Sequence, residues 1–301
     1  MRTSERLRLW IAGARPRTLP AAIAPVLVGS SIHFQDKPTL NWHDLNWLNA
    51  ILALLVSLAL QIAVNYANDY SDGIKGTDAV RVGPLRLVGS GTFSAGAVKR
   101  AALLTFTFAA ICGLILAARS SWWLILVGAL SIIAAWGYTG GKSPYGYRGL
   151  GEISVFIFFG LVATNGSYFA QAQRINRASL LMGASMGFLS CALLAVNNLR
   201  DLPKDALVNK RTLAVRLGDA GARNLFAALL IFGVLFATIA IYPVRTWLAP
   251  LLALVGILLA TPAIRRVRAG AHGADLIPVL GETGRLQLFV SLLSTVFFIF
   301  G

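Results

Sequence analysis

Two short stretches concentrate carboxylates and amides at the ends of apolar runs. The first holds Asn65, Asn68, Asp69, Asp72 and Asp78; the second holds Asn197, Asp201 and Asp205. Spacings of three, four and seven put Asn65, Asn68, Asp69 and Asp72 on one face if the preceding apolar run continues as a helix. Gly73 is expected to end that helix, leaving Gly76 and Asp78 in a turn. In the second stretch the interval is four, but Pro203 disfavours helical geometry at Leu202 and removes a backbone donor. Either the helix kinks there or Asp201 caps a new turn. Oxygen-only donors of this kind suit a hard cation such as Mg²⁺. Carboxylates crowded together without a metal repel one another, and a metal that bridges phosphates removes that conflict. Taken alone, either stretch also reads as a solvated helix end with capping aspartates. Two of them at matching places in two halves of one chain argue for a shared site.

Basic and aromatic residues lie near both stretches. Arg15 and Arg17 precede the first apolar run, Lys142 and Arg148 follow the fourth, and Lys210 and Arg211 follow the second acidic stretch. A diphosphate needs such cations beside its metal in order to bind and to leave. Arg17, Lys142 and Lys210 are the favoured three, against the competing account that they are ordinary positive charge beside a membrane. Tyr138 ends the fourth run just before Lys142, where its ring would steady a developing allylic cation. Most other aromatics in the runs read as packing or lipid contacts. Cys112 and Cys191 sit inside apolar runs without metal-ligand spacing, and His33, His43 and His272 are isolated. Neither a nucleophilic triad nor a phosphate-cradling glycine loop emerges.

These residues are carried by an unusually apolar chain. Of 301 residues, 56% are hydrophobic and 13% charged, with mean hydropathy +0.69. Soluble domains carry about 25% charged residues, so a soluble helical core is excluded in favour of a polytopic membrane protein. Nine candidate spans appear, at 18–34, 48–68, 101–118, 121–139, 153–173, 178–198, 224–242, 246–264 and 286–301. The first contains Pro20 and Pro25 and outruns a signal peptide, so it is expected to stay as an uncleaved span. The net charge of +15 is not one patch of the sort that binds nucleic acid. With nine spans, all basic residues except Lys37, Arg119, Arg174, Arg177 and Arg245 fall on one side. That side is expected to be cytoplasmic, with the N-terminus in. All acids except Asp36 and Asp44 share it, which the charge rule does not require. Each acidic stretch ends the second span of a four-span group and precedes a long polar loop, 69–100 or 199–223. The expected architecture is therefore all-α: two four-helix pseudo-repeats plus a ninth helix, in a single domain over 1–301.

At these positions the chain resembles the intramembrane aromatic prenyltransferases of the UbiA superfamily, across nearly its whole length. The motifs are Trp10 followed by Arg15-Pro-Arg-Thr-Leu-Pro20, then Asn68-Asp-Tyr-Ser-Asp72 with Gly76-Thr-Asp78. Gly83-Pro-Leu-Arg-Leu-Val-Gly-Ser90 and Tyr138-Thr-Gly-Gly with Tyr147-Arg-Gly-Leu-Gly-Glu152 follow. The last are Asn197-Asn-Leu-Arg-Asp201 with Asp205 and Lys210-Arg-Thr-Leu-Ala-Val-Arg-Leu-Gly218. One departure is Asn209, where the family usually has Gly. The resemblance implies a nine-span bundle around a central cavity that opens laterally to lipid. It implies that Asn68, Asp72, Asp201 and Asp205 hold two Mg²⁺ ions, with Asp69, Asp78 and Asn197 as close supports. Arg17, Lys142 and Lys210 would hold diphosphate oxygens. Within the superfamily the motifs look most like members that transfer a polyprenyl group from polyprenyl diphosphate to 1,4-dihydroxy-2-naphthoate. That reaction loses carbon dioxide and gives demethylmenaquinone at the plasma membrane. Other aromatic acceptors, such as 4-hydroxybenzoate, stay open. So does a different class, a cation-coupled transporter, although transporter sites lie near the bilayer midplane.

Overall fold

The computed structural model describes residues 3–37, 41–76, 85–243 and 246–300. Asp78 lies outside the described residues. Eleven α-helices form the frame, with no strand among the described residues. They are α1 (Thr3–Gly13), α2 (Pro20–Ser31), α3 (Trp47–Ile74), α4 (Ala95–Arg119) and α5 (Trp123–Gly137). After them come α6 (Gly151–Val155), α7 (Ala163–Ala172), α8 (Arg177–Leu207), α9 (Leu213–Ile241), α10 (Ala249–Arg268) and α11 (Leu276–Phe300). A π-helical stretch, Phe156–Val162, joins α6 to α7, so that Gly151–Ala172 is one continuous element. Among the described residues seven helices are long and apolar enough to cross a membrane, and α5 is a shorter apolar helix. The protein is an all-helical, multi-pass membrane protein.

Local chemistry sets several boundaries. Asn176 and Ser179 form a reciprocal capping box that starts α8. Ser94 and Thr212 cap α4 and α9 with their hydroxyls. α8 is the central helix: 72% of its most apolar window is buried, against 28% in α10. It packs most heavily on α9 and on the π-helical stretch. Gly160 makes the latter contact possible, because a Cβ there would lie 2.4 Å from the Gly187 Cα. Gly183 and Gly187 thus present a small-residue face that lets two backbones approach.

One expectation about helix ends is corrected, and one of two alternatives is removed. Gly73 does not end α3, which continues to Ile74 before Gly76 turns with φ +70°. Gly73 serves close approach instead: a Cβ would meet Val88 Cγ1 at 2.4 Å. Pro203 lies inside α8, which runs on to Leu207, so no new turn begins at Asp201. Each helix therefore carries its acidic stretch on its own last turns.

Candidate active site

The ends of α3 and α8 open on one cavity of about 460 Å³. Asn65, Asn68 and Asp72 line it from α3, and Asn197, Asp201 and Asp205 line it from α8. The rest of the wall is largely apolar and reaches Leu116 of α4, Leu124 and Ile125 of α5 and Phe158 and Phe159 of the π-helical stretch.

Each carboxylate in the cavity is matched by a cation. Arg86 Nη2 lies 3.5 Å from Asp72 Oδ2, and Tyr147 donates its hydroxyl to Asp72 Oδ1 at 2.6 Å. Arg200 makes a two-pronged contact with Asp201, 2.8 Å in each prong. Lys210 Nζ lies 3.9 Å from Asp205 Oδ1. Lys75 and Lys210 both sit over the Tyr147 ring, 5.0 and 4.9 Å from its centre. Lys75 also donates to the Thr139 carbonyl at 2.6 Å, while Thr139 donates to Asn68 Oδ1 at 2.7 Å. Burial chiefly holds the Lys75 ammonium below the usual lysine range, opposed by the Asp72 charge. Such close charge matching is what buried carboxylates require, since an isolated one would cost several kcal/mol, on the order of what unpaired buried charges cost generally.

The other expected residues divide. Tyr138 lines the cavity at the end of α5, edge-on to Tyr145 with ring centres 5.5 Å apart. Its phenolic hydroxyl is a hydrogen-bond donor. Asp69 does not line the cavity. Its carboxylate accepts the backbone N–H groups of Leu87 and Val88 at 2.7 and 3.0 Å, pinning the segment that carries Arg86. Arg17 is exposed and outside the cavity wall, whereas Arg15, held at φ +54°, is part of it. Lys142 is exposed and lines a separate polar recess with Tyr147, Arg148, Arg211 and Arg216. Asn209 explains its own departure from the pattern: its φ is +57°, a region that suits Gly and that Asn tolerates better than most residues.

The sequence signature of the UbiA prenyltransferase family matches residues 22–276. The chain belongs to that family. It is 50% identical over 277 residues to 1,4-dihydroxy-2-naphthoate octaprenyltransferase of Mycobacterium leprae, covering 91% of this chain and 90% of that one. It is 37% identical to the Escherichia coli enzyme of the same name, covering 96% and 94%. The fold is that of a UbiA homolog from Archaeoglobus fulgidus bound to DMAPP and Mg²⁺, with TM-score 0.67 over 97% of this chain and 99% of that one, at 14% identity.

Within this UbiA fold, reasoning on sequence missed Arg86, Arg200 and Tyr147. All three stand within the family-like motifs, but spacing assigns none of them a role. Arg200 precedes Asp201 directly, a spacing that normally sends two helical side chains in different directions.

Proposed function

We propose that the chain transfers a polyprenyl group from polyprenyl diphosphate to 1,4-dihydroxy-2-naphthoate, releasing carbon dioxide and diphosphate and giving demethylmenaquinone in its reduced form. The observation that carries the reading is the opening of two acidic helix ends onto one cavity with apolar walls. The similarity to the 1,4-dihydroxy-2-naphthoate octaprenyltransferases of Mycobacterium leprae and Escherichia coli supplies the acceptor class.

The donor set fits Mg²⁺. Asp72, Asp201, Asp205 and Asn68 offer only oxygens, and they face a common space from two helices. Among the described residues no three carboxylate, imidazole or thiol groups form a preformed cage. Mg²⁺ is usually held by one or two carboxylates plus substrate phosphates, so dispersed carboxylates are the expected arrangement. Asn68, Asp72, Asp201 and Asp205 would hold it, with Asn197 beside them. When bound, it would supply positive charge to the diphosphate oxygens and so favour departure of the leaving group.

The chain's own residues do the rest. Lys210, Arg86 and Arg15 hold diphosphate oxygens at the polar end of the cavity. The allylic C–O bond breaks with its electron pair going to diphosphate. The Tyr138 ring and the apolar walls shield the cation from water. A ring carbon of the acceptor forms the new C–C bond, and the carboxylate leaves as carbon dioxide with its bonding pair returned to the ring. The nine-span arrangement, with α2 and α5 as the short spans, two pseudo-repeats, one domain over 1–301 and a cytoplasmic N-terminus in the plasma membrane, belongs to the same reading. It is supported by the agreement of every expected span with a helix.

The test is an assay of the purified, lipid-reconstituted protein with Mg²⁺, a polyprenyl diphosphate and a panel of aromatic acceptors. Prenylated naphthol and carbon dioxide from the naphthoate are expected. Turnover with 4-hydroxybenzoate alone, or none with any acceptor, would overturn the reading.

A further inference from the structure

Glu152 is a buried carboxylate that the mechanism above does not use. It is 8% exposed, stands in the first turn of α6 and does not line the cavity. Its Oε1 accepts a hydrogen bond from Asn198 Nδ2 at 3.0 Å, and its Oε2 is buried without a hydrogen-bond partner. Asn198 itself does line the cavity, on α8 one turn ahead of Asp201. We propose that Asn198, oriented by Glu152, receives the aromatic acceptor by taking a hydrogen bond from one of its ring hydroxyls.

An asparagine amide can be turned either way unless its partner decides. A carboxyl oxygen decides here, because the Oε1 that takes the Asn198 N–H is an acceptor whether or not the other oxygen carries a proton. The Asn198 carbonyl oxygen is thereby left to the cavity side, and no described group donates to it. The neighbouring wall has matching polarity. Tyr145 donates to the Ala134 carbonyl at 2.7 Å, so its hydroxyl accepts from Ser154 Oγ at 2.8 Å. Ser154, which also lines the cavity, has thus spent its proton and offers lone pairs. Tyr138, with Gly151 packed against its hydroxyl, adds a donor. Two acceptors and one donor complement a ring with two hydroxyls and a carboxylate. The position fits as well: one helical turn, about 5 Å, separates Asn198 from Asp201, so a ring on this wall lies beside the carbon that diphosphate leaves. Glu152 touches no cavity space and is a positioning residue.

The inference rests on the proposed transfer reaction, and the experiment separates the two. Steady-state transfer is measured against each substrate in turn, with binding of a non-cleavable thiolodiphosphate donor analogue in Mg²⁺ as a measure of folding and donor-site integrity. Asn198→Leu and Glu152→Leu are each expected to raise the acceptor KM about tenfold, with donor KM and analogue affinity within about threefold of wild type. The double variant should be little worse than either single one, since the two residues act as a unit. Glu152→Gln retains a carbonyl oxygen for Asn198 and should keep the acceptor KM within about threefold of wild type. Loss of kcat in Glu152→Gln would overturn the inference in favour of a role for the charge. An unmoved acceptor KM in Asn198→Leu, or loss of analogue binding in parallel with transfer, would also overturn it. Failure of the wild type to use the naphthoate would remove both readings; wild-type transfer with any of the other adverse results removes this one only.

Discussion

Asp69 and Asp72 differ by three positions and do different work. Asp72 faces the cavity and meets Arg86 and Tyr147, whereas the equally buried Asp69 turns away from it to hold two backbone N–H groups. Asp72→Asn is expected to lower kcat at least about 100-fold while the protein still inserts and purifies, because it removes charge from the proposed metal and diphosphate site. Asp69→Asn should instead cost about 1–3 kcal/mol of stability, since an amide offers only one acceptor and leaves a buried N–H unmet. Its signature is faster proteolysis near 85–90 with an unchanged Mg²⁺ dependence, read by limited digestion and a Mg²⁺ titration. A large rise in the Mg²⁺ requirement of Asp69→Asn would show that it acts at the metal after all. This division was not legible in the sequence, where both residues shared a helical face by spacing alone. What decided it is the return of Leu87 and Val88, about 18 residues on, which periodicity does not encode. The same limit applies to the cations: Arg15 and Arg17 are equivalent in composition, but the left-handed backbone at Arg15 turns only one of them toward the cavity.

At the level of elements the apolar runs were highly legible: each expected span overlaps a helix, and among the described residues seven helices are long and apolar enough to cross a membrane. The spans of α3 and α8 were read short because hydropathy ends where the polar residues begin, whereas both helices continue through their acidic stretches to Ile74 and Leu207; those of α2 and α5 were read long. Helical hydrogen bonding does not stop at a change of polarity, and a single internal proline is accommodated when the surrounding helix is packed. The π-helical stretch Phe156–Val162 has no such sequence signal. It widens the turn opposite α8 and puts Phe158 and Phe159 on the cavity wall, a common use of π-bulges near functional sites. Its seat depends on Gly160, whose missing Cβ would fall against the Gly183 carbonyl and the Gly187 backbone. Gly160→Ala is therefore expected to destabilise by about 1–3 kcal/mol, since backbone cannot give way as a side chain can. A drop of several degrees in the unfolding midpoint of the detergent-solubilised protein would register it. An unchanged midpoint would mean that the contact between the stretch and α8 is looser than these distances.

For the whole molecule, the acidic ends of α3 and α8 meet only if both helices finish on the same side of the membrane. The basic residues make the same demand independently. With nine spans, each cation that lines the cavity among the described residues, Arg15, Arg86 and Lys210, lies on the side richer in Lys and Arg. For the proposed reaction, a face rich in both charges suits a water-soluble, anionic acceptor arriving from that side and a lipid-borne donor arriving through apolar walls. Orientation can be checked with introduced thiols, because the two native cysteines, Cys112 and Cys191, are buried. Ser4→Cys lies in α1 on the N-terminal side and Ser121→Cys in the short connection between α4 and α5. In intact cells a membrane-impermeant maleimide is expected to label Ser121→Cys and to leave Ser4→Cys untouched until the membrane is opened. The reverse pattern would place the carboxylates outside, contrary to the charge asymmetry. Labelling of both in intact cells would instead break the odd number of crossings between them, and with it the assignment of α2 as a full span beside α3 and α4.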